Sequence, residues 1–75
     1  MDDRIALLSA PLSVPLTLVE VPDVMRARLA SLGLRPGAQL TLAQRTTGGG
    51  RVVALGSSRL ALGETLLRQL RVVVA

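Results

Sequence analysis

Few side chains in this sequence could do chemistry. Five carboxylates (Asp2, Asp3, Glu20, Asp23 and Glu64), nine arginines and some hydroxyls make up the inventory, with no His, Cys, Lys or Tyr. Proton transfer near neutral pH needs a group poised to titrate there, and a hydroxyl becomes a nucleophile only beside a base. No such base exists here, and no carboxylates pair at helical or strand spacing. The chain is expected not to be an enzyme. Iron and zinc sites want imidazole, thiolate or converging carboxylates. Asp2-Asp3 could hold a cation only loosely and reads as a solvated tail. Met25 lies on an apolar stripe and reads as packing. No catalytic residue, resident metal or cofactor is expected.

Two glycine-rich stretches could bind anions. Residues 31–42 read S-L-G-L-R-P-G-A-Q-L-T-L, and residues 48–51 read G-G-G-R. A phosphate loop needs the Lys of G-x-x-x-x-G-K-[ST], and this chain has none. Gly48-Gly49-Gly50-Arg51 could present backbone N–H groups to an anion, but strand-like flanks make it a hairpin tip. The first stretch is architecture: Gly33 ends a helix, and Pro36-Gly37 has the type II turn pattern.

The elements around these motifs follow from periodicity. Residues 1–15 read as an irregular lead-in whose leucines lie across the domain. Residues 16–21 (L-T-L-V-E-V) read as a strand near the core. Pro22 ends it, and Asp23 is placed as the N-cap of a helix whose stripe is Met25, Leu29 and Leu32. A half-buried strand runs from Ala38 to about Arg45. The tip 46–50, a strand at 51–55, a turn at 56–58 and a strand at 59–62 follow. One helical turn at 63–69, with Leu66 and Leu67 inward, precedes a last strand at 70–74. Five short strands with glycine turns favour a small closed barrel with a helix inserted after the first strand. Closure would also protect the Val-rich strand edges.

Composition bounds the rest. The 75 residues make one domain, 1–75, with no repeat or linker. A chain this short has little core to spare, and without Cys or His neither disulfides nor a zinc finger can reinforce it. Its core must be Leu and Val, with 16 and 9 copies and no aromatic. The net charge of +4 and a pI near 11.7 suggest nucleic acid. Dispersed arginines and the absence of any stacking platform argue against it. Residues 5–19 carry no charge, but Pro11 and Pro15 break any helix, the stretch is too short to span a bilayer, and Asp2-Asp3 is no leader start. A cytoplasmic protein without direct membrane insertion is expected.

The stretch M-R-A-R-L-A-S-L-G-L-R-P-G-A-Q-L-T-L (25–42), supported by R-L-A-L-G-E-T-L-L-R-Q-L-R-V (59–72), resembles the bacterial ferrous iron transport protein A family, FeoA. The resemblance covers residues 8–74. Ser13-Val14-Pro15 stands where relatives commonly have a Gly, the loop after the first strand is short, and Gly63 replaces a charged helix former. The resemblance implies an SH3-like β-barrel and a cytosolic accessory role in ferrous iron uptake. Its implied partner is the cytoplasmic GTPase domain of the membrane transporter, ferrous iron transport protein B. A similar barrel forms the C-terminal domain of iron-dependent repressors.

Arg26, Arg28 and Arg35 cluster around the helix and its exit, and a mixed Arg/Leu patch beside a rigid turn suits protein contact. The candidate partner-binding residues are therefore Arg26, Arg28, Leu29, Leu32, Gly33, Leu34, Arg35, Pro36 and Gly37. The competing reading of these arginines is a solvated basic face. The alternatives for the whole chain are a nucleic-acid-binding small barrel and a stand-alone relative of the repressor domain. A homo-oligomer is compatible with either.

Overall fold

The computed structural model describes residues 3–75; Met1 and Asp2, and so half of the Asp2-Asp3 pair, lie outside the described residues. Leu alternating with Thr and Gln produces the central strand, β3, at Gln39–Arg45, whose Leu40 and Leu42 are buried. Around it lie β1 (Ile5–Ala6), β2 (Leu16–Glu20), β4 (Arg51–Leu55), β5 (Ser58–Leu62) and β6 (Arg71–Val74). All ladders are antiparallel, in the order β1-β6-β2-β3-β4-β5. Helix α1 (Arg26–Ser31) lies between β2 and β3, and α2 (Glu64–Gln69) between β5 and β6.

The expected closed barrel is corrected: among the described residues the sheet is open, with β1 and β5 as its edges and no ladder joining them. β3 bridges its two halves. Gln39 and Leu40 pair with β2, while Thr41 to Arg45 pair with β4. Side chains seal the core where strands do not: Leu7 from the lead-in, Leu29 from α1 and Leu67 from α2 are all buried. The core is wholly apolar, with no buried polar or charged residue among the described residues.

Bulges re-aim two strands. In β2 the register slips between Leu18 and Glu20. Strict alternation would put Glu20 on the Leu16/Leu18 face, but the bulge turns it out and lets Val21 follow the leucines inward. Glu20 then accepts from Arg4 at 3.2 Å, an exposed pair of little energetic weight. β3 slips likewise between Leu42 and Gln44.

The lead-in is more ordered than its composition suggests. It holds β1 and a 3-10 turn at Leu7–Ser9. The Leu7 N–H donates to the Leu70 carbonyl at 2.8 Å, and the Ser13 N–H to the Leu42 carbonyl at 2.8 Å. Once Leu7 and Ala10 are buried, the backbone beside them needs partners, and these bonds supply them.

Asp23 is also corrected. A 3-10 turn at Asp23–Met25 precedes α1, and the Asp23 carboxylate makes no cap bond. It accepts instead from the Arg26 guanidinium at 3.1 Å. The chain has only Pro22 and Val21 between β2 and this turn, so it enters the helix tightly wound.

Candidate docking site

The exit of α1 is built from two interlocked turns. The Gly33 N–H donates to the Ala30 carbonyl and the Leu34 N–H to the Leu29 carbonyl, each at 2.9 Å. This is a Schellman ending, with Gly33 in the left-handed region at φ 91°. Arg35-Pro36-Gly37-Ala38 then forms the type II turn, with the Ala38 N–H on the Arg35 carbonyl at 3.0 Å and Gly37 at φ 95°. The turn is stitched to β2: Gly37 donates to the Leu18 carbonyl at 2.7 Å, and Leu18 donates back to Ala38 at 2.8 Å. A Cβ on Gly33 would sit 2.7 Å from Cδ2 of Leu55, so α1 ends directly against the tip of β4.

This construction divides the candidate residues. Leu29 is 2% exposed and Leu34 fully buried, so neither can touch a partner in the folded protein; both belong to the core. They are the residues joined by the Schellman bond, and their burial is the apolar contact that accompanies such an ending. Gly33 is half-buried against Leu55 and shapes the backbone. Leu32, placed by periodicity on the inner stripe, is 47% exposed, because α1 stops at Ser31 and the chain turns away. Arg26, Arg28, Arg35, Pro36 and Gly37 are exposed. Arg26 pairs with Asp23, and the Arg35 guanidinium donates to the Ala30 carbonyl at 3.4 Å, so its charge lies at the negative end of the helix.

One exposed residue escaped the sequence reading. Val24 is 95% exposed, the most solvent-accessible large apolar side chain among the described residues. Its signal was faint: an apolar residue one step off the Met25/Leu29 stripe. Val24 and Leu32 thus add apolar surface to a region bearing Arg28 and Arg35. The charge pattern reinforces this. From residue 24 to residue 63 the chain has six arginines and no acid, whereas all five acids lie outside that stretch.

The triple-glycine tip does not form an anion cradle. The half-buried Arg51 guanidinium donates to the carbonyls of Gly49 (3.0 Å), Gly50 (2.9 Å) and, across the chain, Leu8 (3.4 Å). The Glu64 carboxylate, itself paired with Arg68, lies beside Gly49. Arg51 therefore ties the lead-in to the hairpin. Arg51→Met is expected to cost about 2 kcal/mol, the weight of charged hydrogen bonds to carbonyls. It should also speed hydrogen exchange at the Leu7 and Ser13 amides; unchanged exchange there would refute the tie. Among the described residues no three His, Cys, Asp or Glu side chains converge as a metal site. No helix among them is long and apolar enough to cross a membrane.

These features define a small, mainly β domain of SH3-like fold that offers a helix and a turn to its surroundings. The FeoA domain model matches residues 5–74, and the chain belongs to that family, whose small domains are associated with ferrous iron uptake. A crystal structure of an iron uptake regulatory protein (FeoA) superposes with a TM-score of 0.81 at 24% identity, covering 96% of this chain and 97% of the other. A FeoA-like protein from Clostridium acetobutylicum gives 0.81 at 16% identity, over 99% and 90% of the two chains. A manganese-dependent transcriptional repressor gives 0.83 at 22% identity, over 96% of this chain but 42% of that one. At these identities the likenesses show a shared fold. Comparison with curated sequences gives no significant match.

Proposed function

We propose that the domain is a cytosolic accessory module of ferrous iron uptake that binds the GTPase domain of the membrane transporter, ferrous iron transport protein B. It acts by contact and not by catalysis. Docking uses the exposed residues around α1: Val24, Arg28, Leu32, Arg35 and the Pro36-Gly37 turn. The observation that carries this reading is the pair of exposed apolar side chains at α1, Val24 at 95% and Leu32 at 47%, set among exposed arginines; the other large apolar side chain this exposed among the described residues is Val74, on β6. Apolar anchors ringed by Arg are the usual composition of a contact surface. Family membership supports the iron uptake context.

Titration of the purified domain against that GTPase domain tests the reading. Arg28→Glu and Leu32→Asp are each expected to weaken binding about tenfold or more, as loss of an interface anchor does. Both residues are exposed, so both variants should stay folded. Binding that is absent, or indifferent to both changes, would refute the docking reading.

A further inference from the structure

The sheet's second edge adds a binding mode. Among the described residues β5 has no strand partner other than β4, and no turn or loop backbone bond reaches its residues 58–62. The β4–β5 turn is two residues long, with Leu55 paired to Ser58. Gly56 has φ 61° while Ser57 does not enter the positive region, which is the type II′ pattern. In such a hairpin the closing pair is hydrogen-bonded, and bonded pairs then alternate along the ladder. Leu60 and Leu62 therefore spend their backbone groups on β4. Arg59 and Ala61, opposite Ala54 and Val52, turn theirs outward to the free edge. Both side chains are exposed, whereas Leu60 is half-buried and Leu62 buried.

This edge is continuous with the docking site. Gly33, at the end of α1, lies against Leu55, and Leu55 pairs with Ser58, the first residue of β5. Arg59 and Arg28 are both exposed and have no carboxylate partner among the described residues. Both fall in the acid-free stretch 24–63. A second copy of the chain would bring the same positive charge against this edge and be repelled. An acidic strand would be attracted.

Resting on the docking reading above, we propose that the domain captures an acidic, extended segment of its partner protein as an added strand on β5. Outward N–H and C=O groups of Arg59 and Ala61 supply the ladder. Carboxylates on the segment meet Arg59, and the strand's end runs toward Leu32 and Arg28. About five residues suffice, the usual length of a strand.

The test has two arms. In the first, a capped decapeptide alternating Glu and Val is titrated into the ¹⁵N-labelled chain, with an alternating Lys–Val peptide as control. The Glu–Val peptide is expected to shift the Arg59 and Ala61 amides and slow their exchange. The effect should fade between about 0.01 M and 1 M salt as screening shortens from about 30 Å to about 3 Å. Ala61→Pro removes an outward N–H without touching the β4 ladder and should weaken binding about fivefold. Arg59→Glu should abolish it. Unmoved Arg59 and Ala61 amides, or equal shifts from the Lys–Val peptide, would overturn the proposal.

In the second arm the wild type, Ala61→Pro and Arg59→Glu are titrated against the transporter's GTPase domain. Equal binding by all three leaves the docking reading standing and removes the β5 edge from it. No binding by the wild type refutes the docking reading, while the peptide arm still judges the edge.

Discussion

Gly50→Ala is expected to destabilise the domain by about 3 kcal/mol, lowering Tm by about 10–20 °C. Gly50 is buried where the hairpin tip turns back beneath β5. A Cβ there would stand 2.6 Å from Thr46 Oγ1 and 2.7 Å from the Leu62 carbonyl oxygen. The Thr hydroxyl can rotate away, but the carbonyl is backbone and can yield only if β5 moves. The Thr46 N–H to Gly50 carbonyl bond at 3.0 Å would be strained with it. Gly48→Ala is the control. Gly48 has φ 86° with open space around its Cβ position, so it should cost only the left-handed backbone penalty, about 1–2 kcal/mol. Urea unfolding followed by far-ultraviolet circular dichroism reads both. Equal midpoints for the two variants would show that packing at residue 50 does not matter.

Leu29→Ala should be comparably damaging, at about 3 kcal/mol, because it empties a fully packed core position. A chain of this length has a total stability of about 4–11 kcal/mol, so the loss is a large fraction of it. Leu32→Ala, three residues on, should change stability by no more than about 0.5 kcal/mol, as surface substitutions usually do. In a binding titration the order reverses: Leu32→Ala weakens partner affinity in fully folded protein. Leu29→Ala alters it only by reducing the folded fraction, so low temperature should restore its binding. Equal stability losses at the two positions would show that α1 packs both leucines.

Those two leucines also show how far the sequence could be read. The positions of β2 and β3 followed from alternation and those of β4 to β6 from short apolar runs between turn signals, since a half-buried strand leaves that period and a turn needs Gly or Pro. Gly33 and the Pro36-Gly37 turn were legible for the same reason: their φ values demand particular residues. Whether Leu32 or Leu34 is buried was not legible, because helical phase is lost once the chain leaves the helix. Burial beyond Ser31 depends on the Schellman geometry. The inward turn of Val21 was hidden by a bulge, which adds a residue without a sequence mark. Arg51 gave no sign that its guanidinium would reach the Leu8 carbonyl, since that contact joins residues distant along the chain. Closure failed as an expectation because counting strands does not reveal their order. The candidate site was legible in its arginines and its turn but not in Val24, whose exposure depends on the 3-10 entry to α1.

The placement of β6 bears on how the molecule is made. Although β6 comes after every other strand described, it is an interior member of the sheet, hydrogen-bonded to β1 on one side and β2 on the other. The β3–β4–β5 meander can assemble from neighbours in sequence. The other half depends on β6: β1 pairs with no other strand among the described residues, and β2 otherwise holds only its short ladder to β3. Completing the sheet then means joining β1 to β6, segments more than sixty residues apart in sequence, the slow kind of contact to form.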